Sequence, residues 1–324
     1  MHSFKELQEI VQQKLDDQNF VVAPEGLFEP MDYILAIGGK RIRPIMVLMG
    51  ADLYSKNLED VILPALGIEI FHNFTLLHDD VMDNAPMRRN RATVHEKWNS
   101  NVAILSGDAM SIKAYQYIVS CNERYLRPVL DVFNQTALEV CEGQQYDMEF
   151  ESRDDVAVEE YLEMIRLKTA VLLGGSLKMG AVMGDASDRD ADLLYQFGVN
   201  LGMAFQLQDD LLDVYGNEKE FGKKIGGDIV ANKKTYLLIK ALELANGDLL
   251  DQLKEQLEAK EFDRDEKIKV VKGIYNQLQV KELSQELIDR YIARSIDCLD
   301  QVKVEDSRKQ VLRDLVDRML NRTH

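Results

Sequence analysis

Apolar residues return every three or four positions along almost the whole chain, the repeat of an α-helix, and no stretch shows the strict alternation of a half-buried strand. Phe4, Leu7, Ile10, Val11 and Leu15 form the first stripe. Comparable stripes run through residues 42–54, 61–83, 102–121, 128–148, 157–184, 188–214, 231–246 and 280–298. Ser187 and Asp190 read as a capping box at the head of the 188–214 helix, and Gly216 lies just past its expected end. All six prolines lie at or before Pro128, so the remainder lacks the strongest helix breaker. The pattern predicts an all-α protein. No composition break or Pro/Gly/Ser-rich linker divides it, which predicts one domain over residues 1–324.

Two stretches leave the pattern. Residues 84–95 (NAPMRRNRATVH) follow a long helix and carry three arginines, and residues 216–235 (GNEKEFGKKIGGDIVANKKT) are polar and rich in Gly and Lys. The first reads as a functional loop and the second as a basic flap.

Composition narrows the function. Of the 324 residues 46% are hydrophobic, enough for a large core, and the formal net charge is −17. Such an acidic chain is a poor partner for nucleic acid or for an anionic membrane surface. Cys121, Cys141 and Cys298 have no metal-ligand spacing and no disulfide framework. The N-terminal stretch is amphipathic and acidic, unlike a signal peptide, and no uninterrupted apolar stretch is of bilayer length, so a cytoplasmic protein is expected.

One acidic pattern occurs twice. Asp79-Asp80-Val81-Met82-Asp83 ends one apolar helical stretch, and Asp209-Asp210-Leu211-Leu212-Asp213 ends another. Residues four apart share a helix face, so each pattern presents paired carboxylates. Two like charges at 4 Å repel by about 4 kcal/mol at an effective dielectric near 20, and a bound cation reverses that sign. Carboxylate oxygens without nearby His or Cys clusters suit Mg²⁺ rather than zinc. One such pattern is weak evidence. Two, both at the ends of apolar helices rather than on exposed faces, are not.

The few cations gather near these patterns. Gly38-Gly39-Lys40-Arg41-Ile42-Arg43-Pro44 brings three of them to a helix start, where backbone N–H groups can also face an anion. Arg88 and Arg89 follow the first acidic pattern, Lys168-Thr169 lies in another helix, and Lys223, Lys224, Lys233 and Lys234 populate the flap. His72 is open to two readings, ligand contact or core histidine.

Taken in order, GGKRIRP, LLHDDVMDNAPMRR, KTA, FQLQDDLLD, KIGGDI and NKKT resemble the polyprenyl synthetase family of trans-isoprenyl diphosphate synthases, over residues 38–235. The resemblance implies the isoprenoid synthase fold, a single large bundle of long helices around a deep apolar cavity. It also implies Mg²⁺-dependent head-to-tail condensation of isopentenyl diphosphate with an allylic diphosphate, and a homodimer. Three Mg²⁺ ions are implied, with Asp79, Asp83 and Asp209 as direct ligands and Asp80, Asp210 and Asp213 as weaker or outer contributors. Arg88, Lys168, Lys224 and the flap residue Lys233 match the allylic diphosphate site. Lys40, Arg43, His72 and Arg89 match the isopentenyl diphosphate site. Thr169 and Gln206 match the groups whose oxygens face the developing allylic cation, and the released diphosphate is the implied base. The match departs at Asn90, where the family often has Gly, which leaves the division of Arg88 and Arg89 between the two diphosphates open. Lys224 is preferred to Lys223 because it opens the KIG match.

Product length follows from what blocks the cavity below the first motif. Phe74 lies five residues before Asp79, about 7–8 Å along the helix axis. In the family an aromatic there often acts as a floor. With small Thr75 beside it, and Phe71 as a second candidate, farnesyl or geranylgeranyl diphosphate is expected. A terpene cyclase, a silent subunit and a non-enzymatic helical interaction protein are the rivals. The intact second motif and GGKRIRP speak against the first, the six retained aspartates against the second, and the clustered cations against the third.

Overall fold

The computed structural model describes residues 1–216 and 225–320. It is 78% helical, in agreement with the predicted all-α class. By its internal contacts the chain divides into two compact units. The first unit comprises Met1–Asn134, Gly175–Tyr195 and Val302–Leu312, and the second comprises Gln135–Gly174, Gln196–Gln301 and the stretch beginning at Arg313.

The first unit opens with α1 (Phe4–Asp16), which Ser3 and Glu6 cap reciprocally. Its stripe Phe4, Leu7, Val11 and Leu15 is buried, as its spacing predicts. Burying such side chains stabilises the fold by about 1.5–3 kcal/mol each. Then come α2 (Glu25–Ala36), α3 (Ile42–Asp52) and α4 (Glu59–Met82), the helix that ends in the first acidic motif. By length and composition α4 is the one helix among the described residues able to cross a membrane, which the sequence reading did not single out. In its apolar window 61% of residues are buried inside the protein, as expected of a core helix.

The loop after α4 contains a short hairpin that the apolar pattern did not predict. Strand β1 (Met87–Arg88) pairs antiparallel with β2 (Arg91–Ala92), in the register Met87↔Ala92 and Arg88↔Arg91. Its two turn residues, Arg89 and Asn90, have φ of 50° and 62°, the left-handed pair of a type I′ hairpin turn. Asn tolerates that region better than most residues, so Asn90 can close a turn for which the family often uses Gly. With strands of two residues, no alternation could have announced it. Helices α5 (Val94–Lys97), α6 (Ser100–Ile118) and the start of α7 (Glu123–Glu151) follow.

The second unit holds the rest of α7, α8 (Val158–Ile165), a π-helical turn (Arg166–Ala170) and the first turn of α9 (Val171–Met183). The sequence predicts one uninterrupted helix over 157–184, and the π-turn is the difference. The long α10 (Asp188–Tyr215) ends in the second acidic motif. Its head lies in the first unit, where Asp190 donates its backbone N–H to Ser187 Oγ at 3.2 Å, half of the expected capping box. The Asp190 carboxylate instead accepts from the Lys303 backbone at 3.3 Å. The flap stretch itself contains a short helix, α11 (Gly227–Val230), and after it come α12 (Tyr236–Leu244), α13 (Gly247–Glu258), α14 (Arg264–Gln277), α15 (Val280–Gln301) and α16 (Asp306–Leu320). The stripes did not delimit α2, α13, α14 or α16.

Candidate active site

In the first unit the Gly38–Arg41 stretch turns sharply before α3. Gly38, Gly39 and Arg41 have φ of 86°, 153° and 52°. At Gly39 the positive φ favours glycine, and a Cβ there would stand 2.6 Å from Nη1 of Arg89, whose side chain would have to move. The hairpin turn thus lays the Arg89 guanidinium on the glycine loop. Arg43 donates from Nη1 to Nε2 of His72 at 3.0 Å. A guanidinium has no acceptor, so Nε2 must be the unprotonated nitrogen and the ring is neutral, with its proton on Nδ1. Burial pushes the His72 pKa well below its ordinary value, and Arg43, Arg89, Arg88 and Arg41 push it the same way. Burial and Arg89 likewise lower Arg43 to about 10, against a raising effect of Glu69, so it stays charged at neutral pH. The buried Nε of Arg43 has no hydrogen-bond partner among the described residues. Lys40 is exposed on the same loop.

Arg41, in the same basic run, does other work. It forms a buried ion pair with Glu69 at 2.6 Å and donates to the Leu35 carbonyl at 2.6 Å. Asn73 holds the Glu69 carboxylate at 3.0 Å. This pair ties the glycine loop to α4, one turn from His72. Sequence reasoning did not separate Arg41 from its cationic neighbours, because burial does not show in a basic run.

At the end of α4, Asp80 is buried and Arg88 reaches it with Nε 2.9 Å from both carboxylate oxygens. Arg88 and Arg89 therefore go to different groups, Asp80 and the glycine loop. Asp79 is half-buried and Asp83 exposed, on the helix face shared by residues four apart. Phe74, half-buried, stacks edgewise on His78 at 4.8 Å and lies 5.6 Å from Phe71. Phe71 is buried and packs against Phe133 at 5.2 Å. The Thr75 hydroxyl donates to the His72 carbonyl at 2.8 Å.

In the second unit the π-turn brings Lys168 and Thr169 to the site. A Cβ on Gly143 of α7 would stand 2.2 Å from the Lys168 backbone nitrogen, and one on Gly202 of α10 would stand 2.6 Å from the Ala170 Cα. The turn is thus lodged between two helices at their glycines. Insertions of this kind are frequent at functional positions. Lys168 donates to Asp147 at 2.5 Å. Burial alone would raise the Asp147 pKa, but Lys168 and Lys233 outweigh it and hold the carboxyl below its ordinary value.

One polar chain runs from Thr169 to Tyr161. The Thr169 hydroxyl donates to Gln206 Oε1 at 3.3 Å, and Gln206 Nε2 donates to Asp210 at 3.0 Å. The Tyr161 hydroxyl donates to the other oxygen of Asp210. Asp210 is buried, which raises its pKa against the opposing pull of Lys233, Tyr161 and Gln206. Asp213 accepts from the Asp228 backbone at 2.9 Å and so holds the start of α11. Asp209 is half-buried on the same helix end. Lys224 lies outside the described residues. Among the site groups that sequence reasoning missed, Gly143 and Asp147 left a signal, the polar run EGQQYD inside the stripe of α7. Tyr161 left none.

The donors fit a hard cation. Each motif offers carboxylate oxygens, and the described residues contain no cluster of three or more His, Cys, Asp or Glu side chains that could hold a metal alone. An ion here would complete its shell with water and substrate oxygens, the usual condition of protein-bound Mg²⁺. Arg88 holds Asp80, Gln206 and Tyr161 hold Asp210, and the Asp228 backbone donates to Asp213.

The chain is similar to known proteins over most of its length. The family model for polyprenyl synthetase matches residues 24–277. A geranylgeranyl diphosphate synthase of Methanosarcina mazei is 40% identical over 231 residues, 71% of each chain. A crystal structure of a geranylgeranyl pyrophosphate synthase superposes with a TM-score of 0.95 at 41% identity, over 100% of both chains. Another, from Corynebacterium glutamicum and complexed with isoprenyl diphosphate and magnesium, superposes at 0.85 with 27% identity, over 99% of this chain and 98% of that one. The chain belongs to the polyprenyl synthetase family, with its isoprenoid synthase fold, and is a prenyltransferase that makes short-chain prenyl diphosphates.

Proposed function

We propose that the chain works as one isoprenoid synthase domain over residues 1–324 and adds isopentenyl diphosphate to an allylic diphosphate, ending at geranylgeranyl diphosphate. The observation that carries the assignment of roles is the fixed polar chain Thr169–Gln206–Asp210–Tyr161 beside the Lys168–Asp147 pair. Asp210 accepts from the Gln206 amide nitrogen, which leaves the amide oxygen toward Thr169. The Thr169 proton is committed to that oxygen, so the lone pairs of the Thr169 hydroxyl stay available to a developing cation. Lys168, Lys233, Lys224 and Arg88 hold the allylic diphosphate, and the charge of the leaving group is opposed where it develops. Lys40, Arg43, Arg89 and neutral His72 hold isopentenyl diphosphate. The orphaned Arg43 Nε supports that role.

Three Mg²⁺ ions belong to this reading, with Asp79, Asp83 and Asp209 as ligands and Asp80, Asp210 and Asp213 as the supporting aspartates. When bound, they supply Lewis-acid neutralisation of the leaving diphosphate. The twenty-carbon product, of the expected fifteen or twenty, is supported by the geranylgeranyl diphosphate synthases among the relatives. Phe74 serves as the floor, with Thr75 leaving room beside it and Phe71 backing it as core. A homodimer is supported by Leu105, Ile112 and Tyr115 along α6 and Val119 at its C-terminal cap, apolar and between 41% and 62% exposed. Such a stripe is more than scattered surface apolarity. A cytoplasmic location goes with substrates that are soluble diphosphates.

The test is to incubate the purified protein with isopentenyl diphosphate and dimethylallyl, geranyl or farnesyl diphosphate, with Mg²⁺ or with EDTA, and to size products by mass spectrometry. A Mg²⁺-dependent ladder ending at twenty carbons is expected. A ladder that runs much longer would remove the Phe74 floor, and no condensation with any starter would remove the activity.

A further inference from the structure

We infer that Gln144 is a further binding residue for the allylic diphosphate, an assignment that rests on the reading of Lys168 as a holder of that group. Gln144 sits on α7 between two residues that touch Lys168. Gly143 abuts the Lys168 backbone, and Asp147 pairs with its ammonium group. Residues three apart lie on one helix face, so the Gln144 amide is presented beside Asp147. Gln144 is only 9% exposed, while its neighbours Glu142, Gln145 and Tyr146 are exposed. Neither its amide nitrogen nor its amide oxygen has a hydrogen-bond partner among the described residues.

A primary amide buried with both ends unmet destabilises the free protein, and buried side-chain polar atoms are in the large majority bonded. A group that arrives with the substrate explains why such an amide is kept. The substrate's hydrocarbon tail cannot meet it, because it neither donates nor accepts. Its diphosphate can. A phosphate oxygen accepts from the Nε2–H, and water solvating the same diphosphate donates to Oε1. Lys168 and Gln144 then meet one anion from adjacent places, the first with charge and the second with direction.

The experiment uses Gln144→Leu, which keeps the size of the side chain and removes both polar ends. Thermal unfolding of the unliganded variant is measured first. Calorimetric titrations follow with a non-ionisable thio analogue of geranyl diphosphate and, separately, with isopentenyl diphosphate, both in Mg²⁺. A melting temperature equal to or above that of the parent is expected, with the analogue bound about tenfold more weakly and isopentenyl diphosphate bound as before. Gln144→Glu, which places a negative charge at the same point, should weaken the analogue further. A lower melting temperature with unchanged analogue affinity would make Gln144 structural and overturn the inference, as would an equal loss for both ligands. Lys168→Ala in the same titration separates the two claims. If it weakens the analogue and Gln144→Leu does not, only the inference falls. If Lys168→Ala binds as the parent does, the reading beneath it falls too.

Discussion

Gly143 of α7 lies against Lys168 so closely that a Cβ there would stand 2.2 Å from the lysine's backbone nitrogen and 2.6 Å from its Cα. That contact is backbone to backbone, so no side chain can swing away to relieve it. It seats the π-turn, and the π-turn in turn aims Lys168 at Asp147 and Thr169 at Gln206. Gly143→Ala must therefore move the turn. Overpacking of this kind costs about 1–3 kcal/mol. The expected outcome is a lower urea midpoint together with a fall in kcat. A variant with parental kcat would show that the seat is not needed for chemistry.

Asp147 holds the Lys168 ammonium in place, and Asp147→Asn should release it. The expected loss is about ten- to a hundredfold in kcat/KM for the allylic substrate, of the order measured for charge-assisted bonds. The Asp147 pKa lies below its ordinary value in the folded state, so its stabilising contribution is present above that value. It is lost as pH falls through the lower, folded one. Denaturation curves of the parent and the variant should therefore differ near neutrality and converge in acid.

His72 gives a pH dependence of the same sign, beginning at a higher pH. Its pKa in the folded chain lies well below 6.5, so the unfolded chain binds the proton first. The sign is that stability falls as pH drops below about 6.5, by at most about 1.4 kcal/mol per pH unit from this group. Gln at this position can still accept from Arg43 and does not titrate. Melting temperatures from pH 8 to 5 should fall less steeply for His72→Gln than for the parent, and an unchanged slope would place the titration elsewhere.

Phe74 and Phe71 should separate under mutation. Phe74 is half-buried and rests on His78, whereas Phe71 packs on Phe133 and is 4% exposed. Phe74→Ala is expected to lengthen the product by one or more isoprene units with modest loss of stability. Phe71→Ala is expected to cost about 3–5 kcal/mol, the usual range for a buried Phe. Product sizing and thermal unfolding of both variants check the pair.

Asp79→Ala and Asp209→Ala should each abolish turnover while the helical circular dichroism stays at parental strength. Each carboxylate is half-buried at a helix end rather than in the core. Near-normal Mg²⁺-dependent rates in either variant would remove that residue from the metal-binding set.

Much of this protein can be read from local order. Periodicity predicts α1 and α4 to within a few residues because one face of each is buried, as Leu7 and Val11 show in α1. Spacing predicts the carboxylate pairs because residues four apart must share a helix face. Only the tertiary structure separates residues that look alike in the chain. Arg41 and Arg43 are two apart, yet one is spent on Glu69 and the other faces His72. Arg88 and Arg89 are adjacent, and a type I′ turn sends one to Asp80 and the other to Gly39. The π-turn at Lys168 has no local signature, since its cause is the approach of two glycines, Gly143 and Gly202, distant in the chain. A side chain's type and period are local properties. Its partner and its burial depend on which other segments arrive beside it, and packing alone settles that.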